Sequence, residues 1–216
     1  MNTNTKQLTI IAMLSAMAFV ARLMIRVPMF LPFLSYEPKD VVIIIGGFLF
    51  GPVVAIFTIV IVCFVQMITI SDSGPIGMVM NIVSSFSFVI PAVLIYRHRR
   101  SLSGAVIGLV AGVLIGTAVM LLWNYLIVPL YTPHVSRAAV VSMLMPVFLP
   151  FNLVKHSLNA ALVMLLYKPI SMSLTRAGLY QPSASGGGKL NLMALVISAF
   201  AVLTLILIIL AERGVF

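Results

Sequence analysis

Residues 41–70 read VVIIIGGFLFGPVVAIFTIVIVCFVQMITI, a run in which almost every side chain is apolar. A helix needs about 20 apolar residues to cross a bilayer core of roughly 30 Å. As a single helix this run would extend for about 45 Å, which would require heavy tilt. Gly46-Gly47 and Gly51-Pro52 interrupt the run and favour two shorter helices joined near Gly51-Pro52.

The composition of the whole chain agrees with a membrane location. Of 216 residues, 62% are hydrophobic and 8% are charged, whereas soluble domains are about half apolar and about a quarter charged. The four acidic residues argue against a carboxylate-rich metal site, and the single cysteine excludes an internal disulfide. The formal charge of +9 does not indicate nucleic-acid binding, because the basic residues cluster between apolar runs, as in multi-pass membrane proteins.

Further apolar runs complete a polytopic, all-α transmembrane helix bundle. The other predicted spans are residues 8–25, 76–96, 105–128, 140–167 and 191–210. The proline-rich segment 26–40 is predicted to be a long ordered loop, and 129–135 a second proline-containing loop. Pro146 and Pro150 are expected to interrupt the run 140–167. Residues 180–190, which include SASGGGK, are typical of a flexible linker.

The charge distribution leaves two topologies open. The RHRR loop at 97–100 and the segment 168–190 are predicted to be cytoplasmic, which puts the C-terminus outside. Two helices in 41–70 give seven spans and a cytoplasmic N-terminus, and one helix gives six spans and an external N-terminus. The count of basic residues favours six spans, whereas length and glycine punctuation favour seven.

Polar residues inside spans are the candidate binding residues, because a polar side chain in a bilayer needs protein, water or a ligand as partner. The clearest is Lys155, near the middle of its run. Asn152, Lys155 and Asn159 are spaced so that they share one helix face. These residues indicate a polar ligand cavity. The alternative is a structural role for Lys155, with Glu37 or Asp40 reaching in from the preceding loop.

Other polar residues carry weaker signals. Asn124 lies near the end of a span between Trp123 and Tyr125, two residue types that favour the membrane interface. Asn81 is a further candidate. Gln66 is better explained as a hydrogen-bonding contact between helices, and His156 as a packed side chain.

Small residues mark two close-packing surfaces. Ala12 and Ala16 form a small-residue face on the first span, where intramolecular packing and a partner protein are equally plausible. Glycines recur every four residues on a later span, at 104, 108, 112 and 116, and there we expect packing within the chain.

Enzymatic function is not indicated. The sequence contains no HExxH, no paired carboxylates within spans, no GxSxG and no Walker A motif. We therefore predict no catalytic residues, no metal site, no bound cofactor and no ATP hydrolysis by this chain.

Several of these motifs together resemble a known family. They are Ala12-xxx-Ala16, YEPKD at 36–40, GGFLFGP at 46–52, GPIGMVMN at 74–81, WNYLIVPLY at 123–131, PFNLVK at 150–155 and LLYKP at 165–169. From about residue 6 to 179 the chain resembles the substrate-binding S components of energy-coupling-factor (ECF) vitamin transporters, and among them the riboflavin-specific group. The most specific motifs are WNYLIVPLY and PFNLVK, the latter with LLYKP downstream.

The resemblance implies a six-helix substrate-binding domain over residues 1–179 with both of its ends in the cytoplasm, and thus two helices in 41–70. Residues 191–216 would add one transmembrane helix and a short tail. Residues 26–40 would form a lid over the cavity. The implied riboflavin-binding residues are Asn124, Asn152 and Lys155, with Asn81, Asp40 and Tyr125 as further candidates.

The resemblance also implies a mechanism. The chain would capture riboflavin outside the cell and dock through Ala12 and Ala16 on a coupling module made of a transmembrane subunit and two ATPase subunits. It would then reorient in the membrane to release the vitamin inside. YEPKD departs from the acidic pattern that is usual in the riboflavin group, which leaves another flavin-like ligand or another vitamin open. A stand-alone secondary transporter and a scaffold protein are the remaining alternatives.

Overall fold

The computed structural model describes residues 3–29, 31–70, 74–131, 136–176 and 178, and most of them are helical. In chain order the elements are α1 (Thr3–Met24), β1 (Val27–Met29), β2 (Leu31–Tyr36), α2 (Lys39–Phe50), α3 (Pro52–Thr69), α4 (Gly74–His98), α5 (Leu102–Tyr131), α6 (Arg137–Met143), a π-helical turn (Leu144–Phe148) and α7 (Leu149–Arg176). Among the residues so described, five helical segments are long and apolar enough to cross a membrane: α1, α3, α4, α5 and the continuous stretch Arg137–Arg176. The linker 180–190 and the span 191–210 lie outside the described residues.

The apolar run 41–70 is divided between two helices, as its glycines predict. Gly51 separates α2 from α3 with a φ of +102°, a conformation that residues with a Cβ rarely adopt. Pro52 follows at the start of α3, where its missing N–H costs nothing. With 12 residues, α2 is about 18 Å long, shorter than a bilayer core of roughly 30 Å. The prediction of two helices is confirmed, and the number of complete spans stays a prediction.

The segment 26–40 contains structure that the sequence analysis missed. Strands β1 and β2 form an antiparallel hairpin in which Val27 pairs with Tyr36 and Pro28 with Ser35. The predicted all-α fold class is therefore incomplete, because the described residues also contain this two-stranded sheet. The prolines had indicated a loop, but a ribbon of only two strands has free edges at which a residue without an N–H is tolerated.

The glycine ladder packs α5 against α4, as predicted. A Cβ on Gly108 would lie 2.7 Å from the carbonyl oxygen of Ala92, and one on Gly112 would overlap the carbonyl oxygen of Phe88. Only glycine allows this approach of the two backbones. The buried core includes this contact and joins α1 to α5 and α7; among its residues are Ile44, Ile59, Phe88, Val93 and Val163.

Two predicted helix ends were wrong, and one predicted interruption is confirmed. Helix α5 continues through Pro129 to Tyr131, so 129–131 are not a loop, because a proline near a helix end removes only one backbone hydrogen bond. Helix α7 continues to Arg176, beyond the predicted end at 167. Pro146 lies in the π-helical turn between α6 and α7, a local widening that accommodates the missing N–H.

Candidate functional site

A cavity of about 100 Å³ lies at the end of the bundle opposite the RHRR loop. Four of the six predicted binding residues line it together: Asn81 of α4, Asn124 of α5, and Asn152 and Lys155 of α7. The other lining residues are Arg22, Arg26, Leu34, Ser35, Glu37, Ile70, Met80, Ser84, Met120 and Phe151. Residues separated by up to 133 positions, from Arg22 to Lys155, thus meet at one polar site.

Helix α7 brings Asn152 and Lys155 to the cavity. One N–H of the Asn152 side chain donates to the carbonyl oxygen of Phe148 at 2.7 Å. This bond leaves the amide oxygen and a second N–H for another partner. It also satisfies a carbonyl of the π-helical turn, so the break around Pro146 helps to position the asparagine. The same turn therefore shapes the wall of the site.

Lys155 is buried, with 8% of its surface exposed. Within the described residues its ammonium has no carboxylate within 4.0 Å. The ammonium lies over the ring of Phe151, with 5.9 Å between Nζ and the ring centroid. A buried ammonium that lacks an ion pair is costly for the ligand-free protein. The predicted structural ion pair with Glu37 or Asp40 is thus absent from the described part of the chain.

Asn124 resembles Asn152 in its geometry. It is buried, and one of its amide hydrogens donates to the carbonyl oxygen of Met120 at 2.8 Å, which again leaves an acceptor and a donor. The neighbouring Tyr125 lies outside the cavity wall, and its ring contacts the guanidinium of Arg137, 5.4 Å from the centroid. A ligand contact by Tyr125 stays a prediction.

Asp40 is buried but does not line the cavity. Its Oδ1 accepts a hydrogen bond from the hydroxyl of Ser85 at 2.6 Å, which joins the start of α2 to α4. This geometry gives the carboxylate a role in holding the two helices together. A direct contact of Asp40 with a ligand also stays a prediction.

The segment 26–40 and the end of α1 contribute residues that the sequence analysis did not select as binding residues. Glu37 forms an ion pair with Arg22, in which Oε1 lies 3.1 Å from Nη2. The other carboxylate oxygen of Glu37 lies 3.9 Å from Nζ of Lys39. Lys39 also donates to Oε1 of Gln66 at 3.1 Å, so Gln66 is the predicted contact between helices. The sequence signal for these residues was the small number of acidic side chains. A carboxylate that is buried in such a basic chain requires a cation beside it.

A second contact fixes the hairpin to α7. The hydroxyl of Tyr36 donates to Oδ1 of Asn159 at 2.9 Å. Burial and the nearby charge of Asp40 raise the pKa of Tyr36, so the phenol stays protonated and keeps this donor. Asn159 therefore lies on the predicted polar face, but it anchors the hairpin and does not line the cavity.

The remaining sequence candidates have clear positions. His156 is buried and stacks on Phe88, with ring centroids 4.9 Å apart, so the prediction of a packed histidine is confirmed. Ala12 and Ala16 are exposed on α1, whereas Ser15 beside them is buried. The two alanines thus form a surface that the described part of the chain leaves uncovered.

Comparison with known proteins places this chain in a family. The family model described as "ECF transporter, substrate-specific component" matches residues 6–167. The chain belongs to the ECF S-component family. S components are subunits of transporters and not enzymes, in agreement with the lack of catalytic motifs.

Individual relatives support the same assignment. This S component is 29% identical over 177 residues to the riboflavin transporter RibU of Staphylococcus aureus (strain TCH60), covering 79% of this chain and 93% of the relative. It is 30% identical over 159 residues to the riboflavin transporter FmnP of Bacillus subtilis (strain 168), covering 69% of this chain and 84% of the relative. A solved S component of a bacterial ECF transporter matches with a TM-score of 0.67 and 29% identity, over 81% of this chain and all of that chain.

Proposed function

We propose that this S component is the high-affinity riboflavin-binding subunit of an ECF-type importer. Two relatives that align over most of their length are riboflavin transporters. The observation that carries the proposal is the convergence of three asparagines and a buried lysine on one cavity, where the lysine has no ion pair within the described residues. Riboflavin is uncharged and combines a flat ring, which bears carbonyl and N–H groups, with a polyhydroxyl tail. Amides and an ammonium are suitable partners for both parts.

The proposed role of each binding residue follows from the hydrogen-bonding groups that its side chain still has for a ligand. Asn124 and Asn152 each retain an amide oxygen and one N–H, which match the adjacent N–H and carbonyl of a flavin ring. Lys155 supplies donors for a carbonyl or hydroxyl of the ligand, which offsets part of the cost of its burial. Asn81 lines the same wall from α4.

Binding requires the hairpin to move. The cavity of about 100 Å³ is smaller than the roughly 300–1,000 Å³ that is usual for small-molecule pockets. Arg26, Leu34, Ser35 and Glu37 form the wall that belongs to the hairpin and its flanks. Displacing this wall breaks the hydrogen bond of Tyr36 with Asn159 and the ion pair of Glu37 with Arg22. Segment 26–40 therefore acts as the lid.

Energy would come from a separate coupling module with a transmembrane subunit and two ATPase subunits, since the chain has no Walker A motif. The exposed face of Ala12 and Ala16 on α1 is the proposed docking surface, because small side chains allow close contact between helices. After docking, the S component would reorient in the membrane and release riboflavin inside.

For the membrane topology we propose a core of six helical units followed by one more span. The units are α1, α2, α3, α4, α5 and the α6–α7 stretch, and they form the binding domain 1–179. Residues 180–190 would link this domain to the span 191–210. The N-terminus is then cytoplasmic and the C-terminus outside, with the RHRR loop in the cytoplasm.

A flavin-like compound that carries negative charge is the alternative ligand. Arg22, Arg26 and Lys155 line the cavity, whereas Glu37 is the one carboxylate among the described lining residues. Glu37 is already paired with Arg22. Within the described residues the ammonium of Lys155 has no carboxylate within 4.0 Å, so its positive charge is available to an anionic ligand.

Uptake of radiolabelled riboflavin by cells that lack their own riboflavin import tests the proposal. The chain is expressed with and without a coupling module, and we expect uptake only with the module. Uptake by the chain alone would indicate a secondary transporter. Binding of a different vitamin in place of riboflavin would retain the fold but reject the ligand.

A further inference from the structure

The surface groove between α4 and α5, at the turn that joins them, is not explained by riboflavin binding. It has a volume of about 440 Å³ and is lined by Leu94, Ile95, His98, Arg99 and Ile107. It lies at the end of the bundle opposite the ligand cavity, since Asn81 and Leu94 are on the same helix, about 20 Å apart along its axis. The groove is therefore a separate site.

The groove is apolar inside, and two exposed basic residues lie at one end of it. Leu94 and Ile107, each about half exposed, lie one to two turns inside the membrane from the turn between the helices. His98 and Arg99 lie at that turn and are exposed. An apolar floor with basic residues at one end fits an acyl chain with an anionic head group above it.

Within the described residues, no carboxylate lies at this end of the bundle. No Asp or Glu occurs between residues 73 and 211, and Glu37 and Asp40 are buried around the opposite end of the bundle. Within the described residues no ion pair involves Arg99. Its guanidinium is a planar donor suited to a phosphate.

We propose that this groove binds an anionic phospholipid of the membrane leaflet next to the RHRR loop. The acyl chain lies along Leu94 and Ile107, and the phosphate contacts Arg99 and His98. Basic pockets between transmembrane helices bind anionic lipid head groups by the same chemistry. The bound lipid fixes the α4–α5 turn at the membrane surface.

Native mass spectrometry of the full chain tests the proposal. The detergent-purified protein is mixed with dioleoyl phosphatidylglycerol or dioleoyl phosphatidylcholine, and the retained lipid is measured. We expect preferential retention of phosphatidylglycerol, and a loss of about fivefold in Arg99→Gln, since each basic residue near an anionic surface contributes about that factor. Arg176→Gln, which removes the same charge from the exposed end of α7, is the matched control and should retain the lipid.

A second variant tests the apolar part of the groove. Ile107→Trp fills the floor and keeps every basic residue, and it should also reduce retention of phosphatidylglycerol. Equal retention of the two lipids, an unchanged Arg99→Gln, or an unchanged Ile107→Trp would each overturn the proposal. Displacement of the lipid by inorganic phosphate would assign the basic residues to a free anion. A dimer that Ile107→Trp abolishes would assign the groove to a second copy of the chain.

Discussion

Replacing Lys155 by methionine should weaken riboflavin binding without weakening the fold. The side chain is 8% exposed, and the described residues give its ammonium no carboxylate within 4.0 Å. In the ligand-free protein the charge is therefore mainly a desolvation cost. Methionine has a similar length and no charge, so removing that cost leaves the thermal stability unchanged or raises it.

The effect on binding follows from the lost hydrogen bond. A hydrogen bond to a charged group contributes about 1.5–3 kcal/mol, and about 1.4 kcal/mol corresponds to a tenfold change in Kd. Lys155→Met should therefore raise the Kd for riboflavin about 10- to 150-fold. The Kd is measured by quenching of flavin fluorescence, and the melting temperature of the ligand-free protein is measured in parallel.

The exposed Lys6 on α1 provides the matched control, because Lys6→Met makes the same chemical change away from the cavity. It should bind riboflavin like the original chain. An unchanged Kd for Lys155→Met would remove Lys155 from the site. A fall in melting temperature that accompanies weaker binding would mean that the lysine supports the fold, and the reasoning about its unpaired charge would be refuted.

Three further substitutions test other parts of the structure. Ser85→Ala deprives the buried Asp40 of its hydrogen-bond donor and should cost about 1–3 kcal/mol; adding Asp40→Asn should restore part of the melting temperature, and no restoration would refute the pairing. Gly112→Leu would drive a side chain into the backbone of α4 and should destabilise the protein by about 3 kcal/mol or more, whereas the exposed Val110→Leu should have no effect in the same thermal melt. Ala12→Leu on the exposed face of α1 should abolish uptake that depends on the coupling module and leave the Kd for riboflavin unchanged; a change in Kd would contradict a docking role.

Much of the fold could be predicted from local chemistry. Gly51-Pro52 divides the longest apolar run because a positive φ and a missing N–H are local requirements. Asn124, Asn152 and Lys155 could be selected because a polar group in a bilayer has few explanations other than a partner or a ligand. The prediction that they meet in one cavity depended on the family resemblance, because sequence spacing shows only which residues of a single helix share a face.

The parts that were missed depend on contacts between distant residues. Arg22 and Glu37 were not selected as cavity residues, because one ends a span and the other lies in a loop, and only the folded hairpin brings them within 3.1 Å. The hairpin itself was read as a loop because prolines obscure the pattern of so short a ribbon. Tyr125 was grouped with Asn124 by adjacency, although neighbours on a helix point about 100° apart.

Titration of the purified full chain with riboflavin tests the central claim most directly. The account predicts saturable quenching of flavin fluorescence at submicromolar concentration, with one binding site per chain, and loss of that quenching when Asn124, Asn152 and Lys155 are replaced together by Leu, Leu and Met. Absence of quenching with the original chain, or undiminished quenching with the triple variant, would contradict a riboflavin site in this cavity.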